Sequence, residues 1–359
     1  TEEPYFSHAL AAAETLSEWK LDEATIAAGL LHDTVEDTGV SLEAIRKEFG
    51  DEIAFLVDGV TKLGKIKYRG VEARAENLRK MILAISQDLR VIFIKLADRL
   101  HNMATLSALP REKQKRVAME TSEIYAPLAY RLGMQTLSGD LEDLALPYIH
   151  PEEWKWLKAH VKEEYEKRED YLERIKPEVE KILYGEGIKP LVIDFRAKHY
   201  SSLYKKLLRY NMDFERIYDL VAFRIIVKTV DDCYAALGLI HKLWPPLPGR
   251  IKDYIASPKP NGYQSLHTTV IGPEEKIVEF QIRTKEMHQE AELGIAAHWI
   301  YQQQKGFRSY FQWKPARVKI EDIEWVRQLR NWLSTRSSLE TKPEEFVESM
   351  KIDFFKDRI

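Results

Sequence analysis

The pattern that most restricts this chain is a change of period near residue 186. Up to residue 150 apolar residues return every three or four positions, as in Ile26, Gly29 and Leu30 or in Leu96, Leu100 and Met103. That is the spacing of a helix face. Beyond 186 they gather into β-rich runs, Leu191–Arg196, Ile217–Val227, Leu266–Ile271 and Ile277–Arg283. Helical stretches at 200–210, 231–243 and 284–303 separate these runs, which predicts a mixed sheet with helices. The expected fold is multidomain, an all-α part followed by an α+β part, and 359 residues suffice for two domains. The expected division is 1–150 and 186–335, joined by charged helices with spaced aromatics over 151–185, with 336–359 as a C-terminal segment.

Three local expectations follow. Val91-Ile92-Phe93-Ile94 looks like a strand but runs without a breaker into Lys95-Leu96-Ala97, so it predicts a buried helix start. Residues 59–76 are charged and contain glycine, and predict a loop. Pro127 should kink or restart a helix within 123–133.

A net charge of −3 and a pI near 6.4 argue against a general nucleic-acid binder. The average hides a split. Residues 1–150 carry 18 Lys and Arg against 24 Asp and Glu, whereas residues 186–305 carry 17 against 14. An acidic part suits cations and a basic part suits phosphates. Cys233 is the single cysteine, which excludes an intrachain disulfide or thiolate zinc site and fits a reducing cytoplasm. No apolar run approaches the roughly 20 residues of a membrane span. The first residue is Thr1 rather than Met, so the chain is expected to be a fragment of a longer protein.

Two clusters carry chemistry. The first is His32-Asp33-Thr34-Val35-Glu36-Asp37, with His8 before it and Asp98 after it. On one helix His32, Asp33, Glu36 and Asp37 would share an arc of about 140° at roughly 100° per residue. Carboxylates that close repel one another unless a cation sits among them. Imidazole with carboxylate is a reasonable ligand set for Mn, Fe or Zn. A solvated acidic helix face explains His32-Asp33 alone. The further His8 and Asp98 on other helices favour a metal. The chemistry would be attack of water on a phosphate ester or anhydride, with Glu36 and Asp37 near enough to orient or deprotonate that water.

The second cluster begins at residues 196–209, which hold five basic residues and no acid, and continues through Lys252 and Lys259. Lys and Arg answer triphosphate charge, and Arg or Tyr faces stack on bases. Asp219 and Glu279 fall in β-rich runs, and acids on neighbouring strands could bind Mg²⁺ bridging phosphates. Taken singly, the basic run reads as a solvated helix face and each acid as an outward strand residue.

The spacing of His8, His32-Asp33 and Asp98 is that of the HD metal-dependent phosphohydrolases. With Gly29–Thr38, Val57–Leu63, Lys95–Met103, Glu123–Ala129, Lys259–Thr268 and Gln281–His288 it resembles the RelA/SpoT family of bifunctional alarmone synthetase–hydrolases. The resemblance covers most of residues 4–305. It implies an all-α HD domain and a nucleotidyltransferase-like domain with a mixed sheet. It further implies that the first hydrolyses (p)ppGpp to GDP or GTP plus pyrophosphate, with Mn²⁺ on His8, His32, Asp33 and Asp98. Asn102 and Thr105, beyond Asp98 on the same helix, would contact that substrate.

The second domain would transfer pyrophosphate from ATP to the 3′-hydroxyl of GDP or GTP. By the family pattern Arg196 and Arg224 sandwich adenine, while Lys198, Ser202, Lys206, Lys252 and Lys259 hold phosphates. Asp219 and Glu279 serve Mg²⁺, with Glu279 the base on the 3′-hydroxyl. Tyr263 stacks on guanine beside Asn261, Gln264 and His267. Arg250-Ile251-Lys252-Asp253 matches the basic version of a motif found in bifunctional members. Ala9 departs from the proline usual after the first metal histidine. Residues 352–359 resemble the lead into a TGS domain, so contact with ribosome and tRNA is expected only through a C-terminal region absent here. Two rivals stay open. One is a hydrolase with an inactive synthetase half. The other is a nucleotide-sensing or RNA-binding module without turnover.

Overall fold

A computed structural model describes residues 6–64 and 87–297. Backbone contacts divide the chain into two compact units, Thr1–Gln114 with Ile295–Ile359, and Lys115–Gly294.

The first unit is helical. Helix α1 (Phe6–Glu18) buries Ala9, Ala12, Ala13 and Leu16, the spacing of a single face. Helix α2 (Glu23–Leu31) starts at Asp22, whose carboxylate accepts from the Thr25 backbone N–H at 3.0 Å. A short α3 (Thr34–Asp37) and a long α4 (Leu42–Gly64), broken at Gly50, follow. Helix α5 (Arg90–Ala104) is the core. Val91 to Ile94 are at most 2% exposed, as a buried helix start requires.

The loop expected from residue 59 is helix up to Gly64, and residues 65–76 lie outside the described residues. Gly59 is there for packing. A Cβ on it would stand 2.8 Å from Val91 Cγ2, so glycine lets α4 approach α5 closely. The single helix expected through His32–Asp37 is also broken. Asp33 adopts φ −97° and ψ −3°, which ends α2 and starts α3.

In the second unit α6 (Arg111–Glu120), which straddles the division, runs into a π-turn at Thr121–Tyr125. Helix α7 (Ala126–Arg131) then restarts with Pro127 in its first turn, where the missing N–H costs no helix bond. Helix α8 (Gln135–Ile149) leads to α9 (Pro151–Gly185), one helix of 35 residues rather than several. The strands are β1 (Val192–Ala197), β2 (Val221–Val227), β3 (Lys252–Asp253), β4 (Leu266–Ile271) and β5 (Ile277–Thr284). Their order is β1-β2-β5-β4-β3, with β2 and β5 parallel and the other pairs antiparallel. Helices α10 (Tyr200–Arg209), α11 (Val230–Leu243) and α12 (Lys285–Leu293) complete the unit.

Strand alternation gives the sheet one apolar and one polar face. Phe223, Ile225, Val227, Val278, Phe280, Ile282, Leu266 and Val270 pack with Leu172, Ile175, Val179 and Leu183 of α9 and Cys233, Ala236 and Ile240 of α11. Helix α9 is thus part of the sheet's core as well as a link along the chain. Helix α8 belongs to this unit too, through Leu146 among Leu157, Val161, Leu203 and Leu207. Gly294, just after α12, has φ +57°, and a Cβ there would meet the Leu132 carbonyl oxygen at 2.1 Å. Among the described residues no helix is long and apolar enough to cross a membrane.

Candidate active sites

The break between α2 and α3 decides the first site. It lets the consecutive His32 and Asp33 face the same point, where His8 from α1 and Asp98 from α5 meet them. His8 Nε2 lies 3.2 Å from Asp98 Oδ1 and 3.6 Å from Asp33 Oδ2. His32 Nε2 lies 3.2 Å from Asp33 Oδ2 and 3.7 Å from Asp98 Oδ1. The two Nε2 atoms are 3.3 Å apart. Each ring is held from behind. His32 Nδ1 donates to the Gly29 carbonyl at 2.8 Å, and His8 Nδ1 meets His101 Nδ1 at 2.8 Å. Such backing turns both Nε2 atoms toward the carboxylates of Asp33 and Asp98.

The charges fit the same reading. Hydrogen bonds with Asp33 and Asp98 raise His8 to about 9. Burial opposes a charge on His32, yet hydrogen bonds with both carboxylates raise it to about 10. Burial would raise Asp98, but Lys95 and the two imidazoles hold it well below its ordinary value. His8, His32 and Asp98 bring donor atoms within 4.8 Å of one another, with Asp33 beside both imidazoles, a mixed nitrogen and oxygen set that suits a divalent cation. Asn102 donates to Asp98 Oδ1 and Lys95 to Oδ2, both at 2.5 Å. The Thr105 hydroxyl donates to the His101 carbonyl and finishes the helix. Glu36 and Asp37 lie on the exposed α3, within one turn of Asp33.

The second site is built on the polar face of the sheet. Pairing registers align Asp194, Arg224, Gln281, His267 and Lys252 in one row across all five strands. Arg196 and Glu279 occupy the next row on that face, opposite Ala222 and Thr269. Arg224 is gripped by Asp194, Nε to Oδ1 at 2.8 Å and Nη2 to Oδ2 at 2.6 Å. Tyr263, His267 and Glu279 form a chain. Tyr263 Oη meets His267 Nε2 at 2.8 Å, and His267 Nδ1 lies 3.4 Å from Glu279 Oε1. Lys259 sits over the rings of Tyr254 and Tyr263, at 4.8 and 5.0 Å from their centroids.

Asp219 is not in a strand. It lies in the turn before β2, where Lys198 and Lys206 donate to its Oδ2 at 2.7 and 2.6 Å. Burial would raise its pKa, but the two lysines hold it down to about 2. Its Oδ1 is buried without a hydrogen-bond partner, the kind of oxygen a hard cation takes. Asn261 donates to the Tyr130 carbonyl and Gln264 to the Ile255 carbonyl, so both brace the loop carrying Tyr263. Ser202 lies in the first turn of α10, beside the Tyr200 and Ser201 amides that Asp143 caps at 3.1 and 2.8 Å.

Sequence reasoning missed several of these partners. Lys95 and His101 stand three residues either side of Asp98, a helical signal that was there to find. Asp194 is two residues from Arg196 in one strand and so shares its face. Asp143 comes from a distant part of the chain and carries no local signal.

Two family descriptions match the chain, an HD domain over residues 1–135 and the region found in RelA/SpoT proteins over 195–306. A protein named GTP pyrophosphokinase from Streptomyces antibioticus is 50% identical over 99% of this chain and 43% of its own. One of the same name from Myxococcus xanthus is 48% identical over 99% and 46%. The guanosine-3′,5′-bis(diphosphate) 3′-pyrophosphohydrolase of Aquifex aeolicus is 47% identical over 100% and 49%. The chain thus spans about half the length of the curated relatives it matches. With an HD domain ahead of a RelA/SpoT region, and relatives near half identity along its whole length, the chain belongs to the RelA/SpoT family.

Proposed function

We propose that this chain both makes and destroys (p)ppGpp, at two separately built sites. The observation that carries this reading is that two chemically unlike clusters are each complete. One gathers donor atoms of His8, His32 and Asp98 within 4.8 Å of one another with Asp33 beside the two imidazoles, and the other is a cationic sheet face with buried acids. By this reading residues 1–150 hold the hydrolase, 151–185 the connector, 186–335 the synthetase and 336–359 the C-terminal segment, although α8 and α9, which fall in the first two of these stretches, pack within the unit of the synthetase sheet.

In the hydrolase half His8, His32, Asp33 and Asp98 hold the metal; the donors suit Mn, Fe or Zn, and the likeness to the RelA/SpoT family favours Mn²⁺. When bound, such an ion neutralises phosphate charge and acidifies its water. Lys95 and Asn102 fix both oxygens of Asp98, and His101 fixes the ring of His8. Glu36 and Asp37 take the proton of the attacking water, and Asn102 and Thr105 line the substrate. The water's oxygen bonds to the phosphorus of the 3′ ester as the P–O3′ bond breaks; the 3′-oxygen leaves with GDP or GTP and takes up a proton, and pyrophosphate carries the water's oxygen.

In the synthetase half Arg196 and Arg224 flank adenine, with Asp194 holding the Arg224 plane. Lys198, Ser202, Lys206, Lys252 and Lys259 bind phosphates, and Asp219 and Glu279 serve Mg²⁺. Glu279 takes the proton of the 3′-hydroxyl. Its partner His267 is oriented by Tyr263, whose ring meets guanine with Asn261 and Gln264 bracing its loop. The 3′-oxygen bonds to the β-phosphorus of ATP and AMP departs. By the same reading the protein works in the cytoplasm, and contact with ribosome and tRNA belongs to a C-terminal region outside this chain.

The test is turnover of the purified protein in both directions, with Mn²⁺ and Mg²⁺ supplied separately. Pyrophosphate release from ppGpp with Mn²⁺ and AMP release from ATP plus GDP with Mg²⁺ are expected. Absence of either removes the corresponding half of the proposal.

A further inference from the structure

Arg283 is the largest fully buried side chain of the described residues, at 0% exposure. None of its three guanidinium nitrogens has a hydrogen-bond partner. It stands on the polar face of the sheet, opposite Ile226 of β2 and two residues from Gln281. Folded chains seldom leave such a group unpaired, because a buried donor without an acceptor forfeits its hydration.

The nearest carboxylate is that of Glu292 on α12. Its Oε2 accepts from the Thr136 hydroxyl at 2.5 Å. Its Oε1 makes only longer contacts, at 3.6 Å to Arg224 Nη1, 3.6 Å to His288 Nδ1 and 3.8 Å to Arg283 Nη2. A rigid donor fork and an acceptor oxygen with only long ionic contacts therefore stand side by side in a desolvated place, both fixed by tertiary structure.

Phosphate does not suit this place. The Glu292 carboxylate repels an oxyanion, and the lysines of the face already supply point charges for one. A neutral group with an acceptor next to a donor suits it. The Watson–Crick edge of a purine has that order, O6 beside N1–H in guanine and N1 beside the 6-amino group in adenine. We propose that Arg283 and Glu292 form a base-reading pair in the synthetase half, Arg283 donating to the acceptor of a purine edge and Glu292 accepting from its donor. This rests on the synthetase reading above, in which both substrates bring a purine. The arms of the test tell which one is read.

Arg283→Met keeps length and removes the donors, and Glu292→Gln keeps shape and the contact to Thr136. With ATP and GDP varied in turn, each variant should raise KM for the same nucleotide by about tenfold or more, with kcat changed less than about threefold. A rise for GDP assigns the pair to guanine, and a rise for ATP assigns it to adenine. The matching nucleotide with bare purine as its base lacks the donor that Glu292 accepts from, so it should bind the wild type more weakly than its parent, and Glu292→Gln should shrink that difference. Because the guanidinium makes no hydrogen bond and only a 3.8 Å contact to Glu292 in the free protein, Arg283→Met should melt no lower than the wild type. Three results overturn the proposal: unchanged KM values in both variants, different nucleotides affected by the two variants, or a lowered melting temperature with equal loss toward both substrates. A wild type that does not synthesise at all sinks the synthetase reading instead, so the two failures are distinguishable.

Discussion

Asp143 on α8 should govern the synthetase half although it lies far outside the sheet's own sequence. Its carboxylate caps α10 from another helix, with Oδ1 accepting from the Ser201 amide at 2.8 Å and Oδ2 from the Tyr200 amide at 3.1 Å. His199 Nδ1 lies 3.1 Å from Oδ2. Asp143→Ala removes a capping acceptor worth about 1 kcal/mol and replaces charge-assisted bonds to two amides, so a local cost of about 2–3 kcal/mol is expected. That corresponds to roughly 30- to 150-fold faster hydrogen exchange at Tyr200 and Ser201. Asparagine caps well but offers one oxygen, so Asp143→Asn should fall between the wild type and Asp143→Ala. Exchange mass spectrometry over residues 198–209 reads the effect. Because α10 carries Ser202 and Lys206, KM for ATP should rise while hydrolysis of ppGpp is unaffected. Unchanged exchange at the two amides, or equal effects of Asn and Ala, would refute the capping argument. Loss of hydrolysis instead of synthesis would return α8 to the hydrolase half.

Four further outcomes are expected. Asp98→Ala, or exhaustive chelation of the wild type, should abolish pyrophosphate release from ppGpp, and full activity in either case would exclude the metal cage. Glu279→Gln should stop synthesis and spare hydrolysis, and synthesis at the wild-type rate would show that another group takes the 3′-hydroxyl proton. Tyr263→Ala should raise KM for GDP by about 1–3 kcal/mol and that for ATP far less, whereas equal rises would point to misfolding. His288 is pushed down to about 4 by burial and by Arg283 and Arg224. Its folded pKa is below the unfolded one, so this stability is present above about pH 6.5 and lost as pH falls toward 4, on the order of 2–3 kcal/mol. His288→Gln should flatten that acid limb in a denaturation series, and an unchanged slope would show that other groups set it.

Much of this was legible in the sequence, for identifiable reasons. Four strands were visible, β2 because it reads as a nearly continuous apolar run and β5 because its apolar and polar residues alternate. The two-residue β3 was not, since Lys252-Asp253 has no apolar signal and exists only by pairing with Leu266 and His267. The donors of the metal cage could be named in order, but not the way they meet. Nothing like Gly or Pro marks the break at His32–Asp33, and that break is what aims both side chains at one point. Gly59 misled because a glycine that permits close helix packing looks like one that ends a helix. Asp219 sits in a β-rich stretch, and only the partners Lys198 and Lys206 show that it belongs to a turn. The hub at Glu292 was invisible, for its partners Thr136 and Arg224 are 156 and 68 residues away.

The strand order has a consequence for how the protein is born. Among the described strands the central β5 is the last to be synthesised, and it separates β2 from β4. A nascent chain can pair β1 with β2, and β3 with β4, while each half waits with an open edge for residues 277–284. Closure then depends on a parallel pairing between Phe223–Val227 and Phe280–Thr284, a slow, long-range event. Until it happens the apolar Val221–Val227 has one unpaired edge in view of other chains, a hazard for newly made protein. Translation speed through residues 228–276 therefore sets how long the half-built sheet stays vulnerable.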